Sequence, residues 1–258
     1  MANTNSSNMK KNYVIFAGGH DGEMAEITRV CREVGVEVID HDLPWGAKVS
    51  DYTEDIAKAV ADGKIPVLVE LTPDAEMPAN AIVVDHHNEN AGKPASLLQV
   101  LDLLGIEPTR RQLLIAANDS GYIPGMLALG ATPEEIAEVR YADRAAQGIT
   151  PKQEREAERA IAAAEVINGV TVVRLSHSKS SPVCDRLFSP GQEERLLILS
   201  NGKDGSEVNF FGNGELCQQL RNKFGGWMGG NLPQNGFWGC ENASQSEVLD
   251  YVTKFFAE

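Results

Sequence analysis

Four short apolar runs in the first half of the chain are each followed by an acid or an imidazole, and helical segments separate them. Tyr13–Ala17 passes through Gly18-Gly19 into His20-Asp21-Gly22-Glu23. Residues 36–40 lead into Asp40-His41, residues 65–70 end on Glu70, and residues 81–85 lead into Asp85-His86-His87. The strand residues are continuously apolar rather than alternating, which is the pattern of strands buried on both faces. Amphipathic stretches over 24–33, 53–61 and 96–104 read as the intervening helices, with Thr53 as the expected N-cap of the second. Strands and helices in alternation predict an α/β fold, a parallel sheet with helices on both faces. In such open sheets the carboxyl ends of the strands form one rim, and ligands bind there. Acids and imidazoles far apart in sequence are therefore expected to converge.

Residues 111–116 lead into Asn118-Asp119. The stretch 133–167 is rich in Ala, Glu and Arg and reads as two helices, 133–145 and 151–167. The second has Pro151 in its first turn, where a missing N–H costs nothing. Beyond Gly169 the texture changes to strands over 170–174, 195–199 and 207–211, separated by Gly, Asn and Ser turns. Helices follow over 216–224 and 244–256, with a glycine-rich passage, 225–239, between them. This predicts a loose terminus over 1–12, a ligand-binding domain over 13–148, a connecting helix over 149–168, and a smaller α+β domain over 169–258.

The chain has 258 residues and a formal net charge of −14. Duplex nucleic-acid binders usually show a basic face, because neutralising phosphates drives that association. The charge argues against duplex nucleic acid as a partner and suits a carboxylate-rich metal site. The four cysteines form no CxxC pair, and their wide spacing reads as reduced thiols rather than a disulfide scaffold. No apolar run approaches the roughly 18 residues of a membrane span, and no signal peptide is seen. A cytoplasmic protein without a membrane partner is expected, and a homodimer is left open.

The sharpest chemical feature is Asp85-His86-His87-Asn88 at the end of a buried strand. Aspartate and neutral imidazole are good ligands for Mn²⁺, Zn²⁺ or Fe²⁺. A bare pair of histidines is more often a surface turn, but the leading aspartate and the apolar strand point to the rim. Asp85-His86-His87, followed by Gly92-Lys-Pro-Ala-Ser-Leu-Leu-Gln, resembles the third motif of the DHH phosphoesterase superfamily. That superfamily includes RecJ-type exonucleases, nano-RNases, cyclic-dinucleotide phosphodiesterases and one class of inorganic pyrophosphatase. His20-Asp21-Gly22-Glu23 is similar to the first motif, Glu70 falls at the second and Asp119 at the fourth. The passage 225–239 is similar to the glycine-rich phosphate-binding end of the DHHA1 domain.

The resemblance implies a two-domain hydrolase with two Mn²⁺-like ions, Mg²⁺ or another divalent metal being the alternatives. Asp21, Glu23, Glu70, His86 and Asp119 would be ligands, with Asp85, His86 and His87 as the catalytic motif and His87 close enough to touch phosphate. Three positions depart from the family pattern. Ala17 stands where the first motif has a histidine, Glu23 completes an Asp-x-Glu rather than an Asp-x-Asp, and Glu70 replaces an aspartate. His20 is the candidate substitute ligand for the missing histidine, and His41 is another; Asp40-His41-Asp42 is otherwise a turn.

For the substrate, Arg144 could reach the cleft or pair on its helix surface. Gly229 and Gly230 would bring backbone N–H groups close to an anion, and Asn231 stands where the family often has a histidine. Trp227 and Trp238 either stack on a base or pack in the core. The second domain also carries Lys179, Arg186, Arg195, Lys203, Arg221 and Lys223. Three functions are compatible with these residues. The leading one is hydrolysis of a phosphodiester or phosphoanhydride in a small nucleotide-like or short oligonucleotide substrate by metal-activated water. An inorganic pyrophosphatase or polyphosphatase is the second. An inactive metal- or nucleotide-binding module, for which Ala17 is the support, is the third.

Overall fold

A computed structural model describes residues 12–189, 191, 194–202 and 205–257. The loose terminus expected over 1–12 falls almost entirely outside these residues, as does Lys203. The chain divides into two units, 1–148 and 149–258.

The first unit holds a four-stranded parallel sheet in the order β2-β1-β3-β4, built from β1 Tyr13–Ala17, β2 Glu37–Ile39, β3 Ile65–Val69 and β4 Ile82–Val84. Successive side chains on a strand face opposite ways, and the central strands β1 and β3 are buried on both faces. Val14, Phe16 and Leu68 pack with Tyr52, Ile56 and Ala59 beneath α2 (Thr53–Ala61). Ile15, Val67 and Val69 are also fully buried. The helices α1 (Gly22–Glu33), α3 (Ser96–Leu103), α4 (Arg110–Ala128) and α5 (Pro133–Ala146) pack together around α1. The predicted α/β class is the observed one.

Two local expectations are corrected. Thr53 does not cap α2: a 3-10 turn over Val49–Tyr52 precedes it, Tyr52 is the N-cap, and the Thr53 hydroxyl donates to Ser50 O at 3.1 Å. The short run 111–116 is part of the longer helix α4, capped by Thr109 and Gln112. Its regularity breaks at Tyr122, whose φ of 55° and ψ of −149° lie outside the helical region, and Pro124 follows.

The second unit is a six-stranded mixed sheet in the order β5-β6-β7-β8-β10-β9. Its strands are β5 Glu165–Ile167, β6 Val170–Leu175, β7 Arg195–Gly202, β8 Gly205–Asn213, β9 Trp227–Asn231 and β10 Asn235–Glu241; only β6 and β7 pair in parallel. One face packs Val172, Leu197, Val208 and Phe210 against α8 (Gly214–Phe224) and α9 (Gln245–Phe255). The other packs Val173, Leu175 and Ile198 against Ala157 of α6 (Pro151–Ala162) and Val183 of α7 (Ser181–Leu187). Pro151 opens α6 behind a Thr150–Gln153 capping box, as its position predicts. The helix stops at Ala162, short of 167, because 165–167 pair with β6 instead.

The glycine-rich passage is a β-hairpin, β9 and β10, at the sheet edge. Two of its glycines make room for rings. A Cβ at Gly229 would sit 2.7 Å from the Phe237 ring, and one at Gly239 would sit 2.5 Å from the Trp227 ring. Trp238 is fully buried, with its indole N–H donating to Gly225 O at 2.8 Å, so it is a core residue. No helix among the described residues is long and apolar enough to cross a membrane.

Candidate metal centre

The ends of β1, β3 and β4 lie side by side because those strands pair in parallel. Glu23, in the first turn of α1, and Glu70, just past β3, reach the same point as His86, just past β4. Asp119 arrives from α4. His86 Nε2 lies 2.7 Å from Asp119 Oδ2, 3.4 Å from Glu70 Oε1 and 3.5 Å from Glu23 Oε2. Glu23 is 2% exposed and His86 9%. All four atoms are buried, and no hydrogen bond satisfies any of them. Three carboxylate oxygens around one imidazole nitrogen, none of them in a hydrogen bond, is a costly arrangement in a protein interior. Ligand atoms of Glu70, His86, His87 and Asp119 also fall within 4.8 Å of one another.

The electrostatics follow from burial. Desolvation is the main cause that pushes the Glu23 carboxyl above its usual range; the Asp119 charge adds to it, against a 3.0 Å hydrogen bond from Leu97 N–H at the start of α3. Desolvation and then the Glu23 charge push Glu70 the same way. Asp21 is raised by burial too, with Asp119 and Asp143 as like-charged neighbours; its Oδ1 accepts the Met24 N–H at 2.8 Å as the N-cap of α1. Such a cluster of acids keeps its charge only with a cation among them. The donor set is hard oxygen plus one or two imidazoles, and it fits Mn²⁺ or Mg²⁺ better than a thiolate-loving metal.

Asp85 is turned elsewhere. It accepts the His87 N–H at 2.9 Å and the Asn90 side-chain amide at 3.0 Å, and its Oδ1 lies 3.1 Å from His87 Nδ1. Burial favours the neutral acid, but these hydrogen bonds outweigh it and hold Asp85 below the usual carboxylate range. An ionised Asp85 makes His87 Nδ1 the donor and orients the ring. His87 packs against His86 with ring centroids 4.2 Å apart.

His20 Nε2 lies 2.7 Å from Asp42 Oδ1 and, like the four atoms above, is buried without a hydrogen bond, but it is not among the grouped ligand atoms. His41 stacks on Tyr52 at 4.4 Å, with Nε2 3.1 Å from Asp55 Oδ2. At Ala17 the Tyr52 hydroxyl donates to the backbone carbonyl at 2.6 Å. Neither histidine therefore takes a place among the grouped ligand atoms, although both lie after strands on the predicted rim. Arg144 is 4% exposed within α5, a buried side chain rather than a solvent-facing cation. Gly229, Gly230 and Asn231 lie on β9, the edge strand of the second unit. Of the other cations there, Arg186 bonds Glu154 at 2.7 Å, Arg195 stacks on Phe256 at 4.4 Å, and Lys223 sits 4.2 Å over Tyr251.

A buried network that sequence reading passed over supports the cluster. Asp143 Oδ1 accepts the Gly22 N–H at 2.8 Å, while its Oδ2 accepts from Arg140 at 2.6 Å. Arg140 also donates to Asn118 Oδ1 at 3.0 Å. One ion pair on α5 thus clamps the segment carrying Asp21 and Glu23 and the residue beside Asp119. Nothing in the spacing of Arg140 and Asp143, an ordinary i,i+3 helix pair, marks this role. Replacing Asp143 by alanine deprives a buried guanidinium of that carboxylate, and such a break costs about 3 kcal/mol. Asp143→Ala is expected to melt markedly below the wild type in thermal unfolding, with weakened Mn²⁺ binding.

No family model matches the chain, and no curated protein matches it. Solved structures similar to it include an exopolyphosphatase-related protein from Bacteroides fragilis, 10% identical, covering 98% of this chain and 95% of that one with a TM-score of 0.48. The DHH domain of a protein described as belonging to a family of ribosomal proteins is 13% identical, over 97% of this chain and 88% of that one, with a TM-score of 0.46. A pGpG-specific phosphodiesterase from Vibrio cholerae is 12% identical, over 95% of this chain and 98% of that one, with a TM-score of 0.42.

Proposed function

We propose that the protein is a divalent-metal-dependent phosphohydrolase that cleaves a phosphodiester or phosphoanhydride in a small nucleotide-like or short oligonucleotide substrate. The observation that carries this reading is the set of four buried, unsatisfied atoms of Glu23, Glu70, His86 and Asp119 at the carboxyl end of a parallel sheet. These residues would hold the cation, with Asp21 and His87 at its margin; the resemblance of the motifs to the DHH superfamily implies two ions, and Mn²⁺ or Mg²⁺ suits the donors. When bound, such ions generate hydroxide from water near neutral pH and neutralise charge on phosphoryl oxygens.

The chain's own groups orient and tune. Asp85 accepts from His87 Nδ1 and orients the ring beside the ligand set. The Leu97 N–H holds Glu23 by one oxygen and leaves the other for the cation.

Purified protein is expected to carry at least one divalent ion per chain and to hydrolyse bis-p-nitrophenyl phosphate with Mn²⁺, with activity lost in EDTA. Metal analysis showing less than one ion, together with no turnover of that diester or of pyrophosphate, would reject the enzyme and leave a binding module at most.

A further inference from the structure

We propose that Trp45 is a stacking platform for a nucleobase at the candidate centre, which makes the substrate a nucleotide or short oligonucleotide rather than pyrophosphate; this rests on the phosphohydrolase reading above. Trp45 is 81% exposed, the most exposed large hydrophobic side chain among the described residues. A tryptophan can bury 150–250 Å² when packed, so leaving one in water forfeits a large gain unless something covers it.

The ring is exposed, but its backbone is held. Thr72 N–H donates to Ala47 O at 2.8 Å and Val49 N–H to Thr72 O at 3.1 Å, closing the loop that carries Trp45 against the segment after Glu70. The Trp45 backbone also lies over the exit of β1, where a Cβ on Gly19 would be 3.6 Å from Trp45 Cα. A rigid base under a free aromatic face loses little entropy on binding.

The cavity beside Trp45 measures about 240 Å³ and reaches the metal cluster, because His87 and Glu70 line it too. Trp45, Met77 and Val83 belong to its apolar lining, and Asp85, His87 and Asn90 to its polar lining. Met77 and Val83 are themselves 38% and 41% exposed, so the cavity is open on their side. No lysine or arginine lines this cavity among the described residues. Apart from the cation that the cluster would hold, a bare polyanion would find carboxylates there and no basic side chain. A nucleobase finds an aromatic face, aliphatic edges and hydrogen-bonding groups, while its phosphate lies toward the cluster.

The test is calorimetry on the Mn²⁺-loaded full chain with adenosine 5′-monophosphate and with inorganic phosphate. Base–aromatic stacking of the ordinary size predicts that the wild type binds the nucleotide roughly tenfold or more tighter than phosphate. Trp45→Ala is expected to bring the two affinities within about twofold, and Trp45→Phe to restore most of the difference. Trp45 supports no core, so matching thermal melts should show all three proteins folded. A wild type that binds the nucleotide no tighter than phosphate overturns the inference, as does a Trp45→Ala protein that keeps the preference. The hydrolase reading fails separately, by absence of Mn²⁺-dependent turnover in a protein that still prefers the nucleotide.

Discussion

Asp119→Ala is expected to lower Mn²⁺-dependent hydrolysis by roughly a thousandfold, about 4 kcal/mol at 1.36 kcal/mol per decade. Asp119 Oδ2 stands nearest to His86 Nε2, at 2.7 Å, and its charge adds to the burial that makes Glu23 hard to ionise. Removing it takes one ligand from the set and relieves repulsion at the same time. Metal content should therefore fall with activity, while the metal-free variant melts no lower than the metal-free wild type. Activity that survives the substitution would remove this ligand assignment altogether.

Glu23→Gln should produce opposite effects on stability with and without metal. Burial raises the Glu23 and Glu70 carboxyls above the ordinary glutamate value of 4.5 in the folded chain. A folded group that holds its proton more tightly than the unfolded one stabilises most at low pH. That contribution is lost as pH rises from the ordinary value through the raised one. In chelator, the wild type should therefore lose stability between about pH 5 and pH 8 relative to Glu23→Gln, which has no such proton to lose. Each tenfold difference in proton affinity between the folded and unfolded chain is worth about 1.4 kcal/mol. Each kcal/mol moves Tm by roughly 2–4 °C for a domain of this size, so a gap of several degrees is expected near pH 8. Saturating Mn²⁺ should reverse the order, because the ionised wild-type site gains the cation and the amide does not. Melting curves at pH 5 and pH 8, with EDTA and with Mn²⁺, read this directly; a variant that is less stable in every condition would mean that Glu23 serves packing alone.

Much of the first unit is legible in its strands. Continuous apolar runs locate β1, β3 and β4, and the parallel order follows from the helices between them. The same logic puts Glu23, Glu70 and His86 on one rim, and Asp119 joins them through the motif resemblance. It fails where local pattern and tertiary partner disagree. His20 sits on the rim with its Nε2 beside Asp42 rather than among the grouped ligand atoms, because a residue's position on the backbone does not say which way its side chain points. The long helix α4 is hidden by Gly121, Pro124 and Gly125, and the chain does break there, at Tyr122, before continuing. The β9–β10 hairpin is hidden by its glycines, whose role is to admit the Phe237 and Trp227 rings across the strands. The Arg140–Asp143 clamp reads in sequence as a routine helix pair, and its importance lies in Gly22 and Asn118, over a hundred and about twenty positions away. Trp45 lies in a stretch with no motif, and only its exposure distinguishes it.

The close passage of β1 past Glu70 couples two turns of the chain. A side chain at Gly18 would place its Cβ 2.5 Å from Glu70 O, so the exits of the first and third strands are fitted backbone to backbone. Glu70 itself turns through a left-handed φ of 54° at that point. Neither exit is free to drift alone. The backbone that carries Glu70 out of the third strand can shift only if the turn after the first strand shifts with it, so any side chain put at position 18 moves the Glu70 carboxylate as well.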